Sequence, residues 1–273
     1  MLVLVPPSEG KAPGGRGAPL DLARLSCPAL SPVRERLVTA LQDAARTDPD
    51  ALQAALGCPA GEVAKDAVLT SSPTLPALRR YTGVVYEALS YSTLSPAGRR
   101  RANGSVRIAS ALFGLLAPTD RIPAYRLSGG TSLPGVGSLA AAWRPALEPE
   151  LAAHRGLVVD LRSGPYAALA RVPSAVQVRV LRESGGSRAV VSHDNKHTKG
   201  LLARVLCETG ARSVADVAEA ARSVADLVEV EGRRVDLVLF GLATARERTQ
   251  RSAIRSRTCQ SSSSACPGSS GRG

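Results

Sequence analysis

Short apolar runs alternate along this chain with segments that open on helix-start signals, which restricts it to folds in which helices cover a sheet. The runs lie at residues 2–5, 106–116, 157–161, 176–181, 189–192 and 233–239. Ser31-Pro32, Asp48-Pro49 and Ser95-Pro96 each pair a capping side chain with a proline suited to the first helical position. After the first pair, Val33, Leu37, Val38, Leu41 and Ala44 recur at helical spacing and predict a helix to about Arg46. The expected fold is α/β, of the mixed α+β kind: a central mixed sheet flanked by helices, in a single domain over residues 1–240. The chain has 273 residues, 44% of them hydrophobic, and only eight aromatics (five Tyr, two Phe, one Trp). Its core must therefore be built from Leu, Val and Ala.

Around Gly57-Cys-Pro-Ala-Gly61 the apolar positions Leu52, Leu56 and Val63 predict helix, tight hairpin, helix. Such an element turns unpaired helix N–H groups toward an anion. Residues 183–188, Glu-Ser-Gly-Gly-Ser-Arg, read as a hairpin turn. Ala-Arg-Ser-Val-Ala-Asp occurs at 211–216 and again at 221–226, too short a period for a solenoid and spaced for helix. Beyond residue 240 the composition turns to Arg, Ser and Gly, so 241–273 is expected to be a disordered tail.

The formal charge is +12, of which six arginines against one glutamate in that tail supply +5, leaving +7 for residues 1–240. A basic body suits a polyanionic partner, nucleic acid first, and equally a merely solvated basic surface. The five cysteines, Cys27, Cys58, Cys207, Cys259 and Cys266, lack metal-ligand spacing and read as reduced thiols. No run approaches a membrane span, and the apolar start lacks a basic lead-in. A cytoplasmic protein without a membrane partner is expected, as a monomer.

Chemistry concentrates in two places. In Ser110–Leu127, Pro118 and Pro123 fix φ on either side of Asp120, so the chain must turn and then run extended to Tyr125 and Arg126. Asp120 there is either a general base or a turn cap. In residues 193–200, His-Asp-Asn-Lys-His-Thr-Lys-Gly, His193 and His197 stand four apart but lack a clear third ligand, so no metal is expected. The stretch reads as an anion-facing loop, with Lys196 and Lys199, leading into a helix over 201–208 that carries Arg204. Arg99-Arg-Arg101 follows a helix start, and its three side chains point in different directions.

The segment 110–127 resembles the signature of the YaaA family of bacterial peroxide-stress proteins, in Gly114, Leu116, Pro118, Asp120, Tyr125, Arg126 and Leu127. It departs from that pattern at Phe113 (often Tyr), Ala117 (Arg) and Ala124, which intervenes between proline and tyrosine. Residues 1–11, 81–86, 159–166 and 191–204 resemble other blocks of the family, in the same order. The resemblance implies a protein that binds DNA, duplex or branched, through a basic cleft with a helix-hairpin-helix element, and that limits oxidative damage and free intracellular iron. Phosphate contacts are expected from Lys11, Arg99, Arg126, Lys196, Lys199 and Arg204.

No nucleophile elbow, P-loop or dinucleotide fingerprint is present, so no cofactor is expected and the balance tips against an enzyme. The alternative is an enzyme acting on a nucleobase- or phosphate-containing substrate. Its pocket would gather Lys11, Tyr81, Arg126, Ser163 and Tyr166, with Asp120, Tyr125 and Lys196 as the catalytic candidates.

Overall fold

The computed structural model describes residues 1–59 and 61–241. Its first element is strand β1 (Leu2–Val5), with all four side chains buried. A strand covered on both faces needs an apolar residue at every position, which is what Leu-Val-Leu-Val supplies. Helices α1 (Ser31–Thr47) and α2 (Pro49–Leu56), strand β2 (Leu75–Pro76) and helices α3 (Ala77–Arg80), α4 (Val84–Leu89) and α5 (Pro96–Ser105) follow. Next come β3 (Val106–Ser110), β4 (Gly114–Leu116), β5 (Arg121–Ile122), β6 (Ser132–Leu133), β7 (Gly137–Ser138) and α6 (Leu139–Ala152). The last part holds β8 (Val158–Asp160), α7 (Gly164–Ala167), β9 (Val176–Ser184), β10 (Ser187–Ala189), α8 (Ser192–Thr209), α9 (Val214–Arg222), β11 (Leu227–Glu231) and β12 (Arg234–Phe240).

Eight strands form one mixed sheet in the order β11-β12-β9-β8-β1-β3-β4, with β10 paired to β9. The five inner strands β12, β9, β8, β1 and β3 run parallel, and β4, β10 and β11 are antiparallel additions. From β1 the chain first builds outward to β3, then crosses back to β8 on the other side and continues through β9 to β12. The gap between β1 and β8 is therefore where the winding direction reverses, and in open parallel sheets ligands bind beyond the strand C-termini at that point.

The expected mixed sheet flanked by helices is present, with local differences. Helix α1 begins at Ser31, but a 3-10 turn over Pro28–Leu30 precedes it, so Ser31 is the first helical residue and not its cap. Asp48 and Ser95 do cap α2 and α5, accepting from the N–H groups of Ala51 and Gly98. After α2, Gly57 takes a left-handed conformation, and the next limb is a six-residue 3-10 helix, Val63–Val68, not a second α-helix. The 191–200 stretch is not a loop, because α8 already starts at Ser192. Of the repeat, the first copy caps and opens α9, whereas the second leaves the helix and leads to β11. The Gly185-Gly186 turn joins β9 to β10 as expected. Cys27, Cys58 and Cys207 are free thiols, while Cys259, Cys266 and the tail from residue 242 lie outside the described residues. Among the described residues, no helix is long and apolar enough to cross a membrane.

Candidate functional site

A cleft of about 340 Å³ opens at the reversal point. Its walls are the loop after β1 (Pro6, Pro7, Ser8, Glu9), the loop after β8 with the start of α7 (Leu161, Ser163, Tyr166), residues 82–86, and the first turns of α8 (Ser192, Asn195, Lys196, Lys199). Helix α8 reaches this position because Gly200 lets it lie directly on α4. A Cβ at residue 200 would collide with the carbonyl oxygen of Val85 and stand 2.6 Å from the Cβ of Ala88. Lys199 is buried in the cleft wall, and its Nζ donates to the carbonyl of Arg162 at 3.3 Å. Burial pulls its amine down to about 8, against the opposing pull of the Asp160 charge. Asp160 is itself committed to Arg162, through Nε–Oδ1 and Nη2–Oδ2 bonds of 2.9 and 2.8 Å. Arg162 also donates to the carbonyls of Tyr166 and Ala170, which fixes the loop behind Lys199. The Tyr86 hydroxyl donates to the carbonyl of Pro6 at 2.8 Å and ties α4 to the β1 loop.

A second polar cluster continues from Glu9. The Tyr166 hydroxyl donates to Oε1 of Glu9 at 3.5 Å, and Nη1 of Arg126 lies 3.0 Å from its Oε2. The Arg126 N–H donates to Oδ1 of Asp66 at 2.8 Å. Asp66 has no exposed surface, and its Oδ2 has no hydrogen-bond partner among the described residues; neither has Nε of Arg126. Desolvation pushes the Asp66 carboxyl up to about 7, although the Arg126 N–H and the Lys11 charge pull the other way. Lys11 sits 4.1 Å from the centroid of the Tyr125 ring and donates to the carbonyls of Ser8 and Glu9. Burial lowers its amine to about 8, opposed by Glu9 and reinforced by Arg126. Behind it the hydroxyls of Tyr81, Tyr125 and Ser110 form a chain with spacings of 2.7 and 2.8 Å. Burial raises both phenols, so they stay protonated as neutral donors.

Comparison with known proteins places the chain in a family. The family model of the peroxide stress protein YaaA matches residues 1–224, a stretch that contains every wall of the cleft. The chain belongs to the YaaA peroxide-stress family. It is also similar to a UPF0246 protein of Corynebacterium efficiens, 47% identical over 252 residues, covering 88% of this chain and 99% of that protein. A UPF0246 protein of Streptomyces coelicolor is 44% identical over 232 residues, covering 81% and 88%. One from Corynebacterium glutamicum is 44% identical over 236 residues, covering 81% and 93%.

The structure distributes the expected site residues of this YaaA-family chain unevenly. Lys11, Tyr81, Tyr125, Arg126 and Tyr166 converge around Glu9, and Ser163, Lys196 and Lys199 face the adjoining cleft. Arg99 is exposed in a neighbouring cleft of about 470 Å³ with Arg79 and Tyr91, which shares Thr82, Gly83 and Tyr86 with the first. Arg204 is spent on structure: it donates to the carbonyls of Leu89, Ser90 and Thr93 and to the Thr93 hydroxyl, closing the C-terminal end of α4.

Asp120 stands apart as well. Its carboxylate accepts from the N–H and hydroxyl of Ser26 and from the N–H of Ala117, so it caps the turn. Arg34, wholly buried, braces the same turn by donating to the carbonyls of Ser26, Phe113 and Leu115. Phe113 packs edge-on to Tyr125 with centroids 5.4 Å apart. His193 and His197 do share a helix face, with ring centroids 6.4 Å apart. Among the described residues no group of three His, Cys, Asp or Glu side chains is placed to hold a metal. Reading the residues alone missed Asp66, and it covered Glu9, Asp160 and Arg162 only within the family-like stretches 1–11 and 159–166, without giving them a role.

Proposed function

We propose that this chain serves the peroxide response of its family by binding DNA, as a cytoplasmic monomer, in the groove formed where the two clefts meet over Thr82, Gly83 and Tyr86. The observation that carries this reading is the placement of basic and aromatic side chains along that groove. Exposed Arg79 and Arg99 stand beside Tyr91 at one end, and Lys196 stands near Tyr166 at the other. Cations spaced along a channel track phosphates, and aromatic faces within it take unstacked bases. Limiting oxidative damage belongs to the same proposal, as does limiting free iron, since fewer iron-driven radicals then reach the bound strand. The test is photo-crosslinking of iododeoxyuridine-substituted single-stranded and bubble DNA, with the crosslinked peptides mapped by mass spectrometry. Crosslinks to Tyr86, Tyr91 or Tyr166 are expected. Crosslinks confined to residues 242–273 would remove the groove from the account.

A second reading, a small-molecule enzyme, is favoured by the enclosed wall of the first cleft, where buried Lys199 stands near Ser163 and Tyr166. A ligand that saturates this cleft with little salt dependence, and without competing with DNA, would favour it.

A further inference from the structure

We infer that Lys199 is an imine-forming amine, and that the cleft at the strand reversal point takes an aldehyde flanked by a phosphate. This deepens the preceding section and rests on its reading of the cleft as the working site. Four features point to it. The chain has only four lysines, and two of them, Lys196 and Lys199, line this one cleft. Lys199 is buried there with no ion-pair partner among the described residues, its Nζ resting on the Arg162 carbonyl alone, while the nearest carboxylate, Asp160, is taken by Arg162. Lys196, three residues earlier on the same helix, is exposed at the rim, where its side chain can meet a phosphate. Oδ1 of Asn195, also in the cleft wall, is buried without a hydrogen-bond partner among the described residues, an acceptor that a donor such as a sugar hydroxyl would satisfy.

An amine must be neutral to attack a carbonyl, and desolvation supplies that condition. With the amine near 8 in place of 10.5, the neutral fraction at about pH 7.5 rises roughly 200-fold. The neutral Nζ adds to the aldehyde carbon, forming a C–N bond while the carbonyl oxygen takes up a proton. Loss of water then breaks the C–O bond and leaves C=N, the two hydrogens of that water having come from the amine. The step needs no oxidant or reductant. Glu9, Ser163 and Tyr166 line the same cleft and offer routes for the proton.

Two sources share this ligand chemistry: the ring-opened sugar of an abasic site in DNA and a free sugar phosphate. The full-length chain is incubated with cyanoborohydride and, in separate arms, a duplex carrying one abasic site and 2-deoxyribose 5-phosphate. Adducts are then mapped to a residue by mass spectrometry. The expected result is a single adduct on Lys199 in at least one arm. Lys199→Arg and Lys199→Met, checked for folding by thermal melting, should abolish that adduct and lower total labelling at least about tenfold, by the loss of the neutral amine alone. An adduct on Lys11, Lys65, Lys196 or the terminal amine in place of Lys199, or none in either arm, overturns the inference. Binding to an intact duplex is measured on the same samples. DNA binding without an adduct sinks only the imine, whereas an adduct with sugar phosphate and no DNA binding sinks only the DNA reading.

Discussion

Replacing Asp66 by asparagine should make the chain less sensitive to pH, because this carboxyl is the buried group whose ionisation the fold opposes most plainly. Asp66 is wholly enclosed, one oxygen satisfied by the Arg126 N–H and the other by nothing among the described residues. Its carboxyl titrates near 7 in the folded chain against 3.8 as the ordinary value. A raised carboxyl favours the folded state while it is protonated, and that advantage is lost as pH climbs through the folded value. At about 1.36 kcal/mol per pH unit the full cost is a little over 4 kcal/mol, of which about 2.6 falls between pH 5 and 8. Asparagine keeps an oxygen for the Arg126 N–H and cannot ionise. Urea denaturation at both pH values should therefore show Asp66→Asn gaining about 2.6 kcal/mol relative to the parent chain on going from pH 5 to 8. Its absolute gain at pH 8 is smaller by the cost of burying an amide N–H pair, about 1–3 kcal/mol. Equal pH slopes for parent and variant would mean that the fold does not oppose ionisation of Asp66.

Gly200→Ala should destabilise the chain by about 3 kcal/mol, the upper end of ordinary overpacking, because the new methyl meets the Val85 carbonyl rather than a yielding side chain; denaturant midpoints read this directly. Asp120→Ala strands the N–H groups of Ser26 and Ala117 and should cost about 2–4 kcal/mol while leaving DNA affinity at low temperature unchanged, as judged by fluorescence anisotropy. Arg204→Ala frees the carbonyls at the end of α4 and should cost about 1–3 kcal/mol, with no change in the salt slope of DNA binding. A slope that falls with Arg204→Ala would return that residue to the phosphate contacts.

What could be read from the residues is what local patterns determine. Leu2–Val5 carries its two-sided burial in an unbroken apolar run, and Asp48-Pro49 and Ser95-Pro96 cap helices because side-chain chemistry alone suffices there. Residues 192–200 misled because Asp194 and Asn195 favour loops. In the first turn of α8, however, an acid suits the helix dipole, and Asp194 also pairs with Arg182 at 2.7 Å. Strand β11 escaped notice because Leu-Val-Glu-Val-Glu lies at a sheet edge, mostly exposed. Asp66 carries no local signal at all: its burial beneath Arg126 follows from the 3-10 segment packing under a loop 60 residues away. The gathering of the Glu9, Ser163 and Lys199 segments is likewise a property of strand order, since β1 and β8 become neighbours only through the crossover.

The proposed site of nucleic-acid binding is the folded groove and not the arginine-rich end of the chain. DNA binding of the full chain with Arg246, Arg248, Arg251, Arg255, Arg257 and Arg272 changed to glutamine, between about 50 and 200 mM salt, separates the two. Retained binding is expected, with a logarithmic salt slope that falls by about one unit for each of Arg99→Ala and Lys196→Ala. Binding that vanishes with the six arginines, or a slope unmoved by either groove substitution, would contradict the groove proposal.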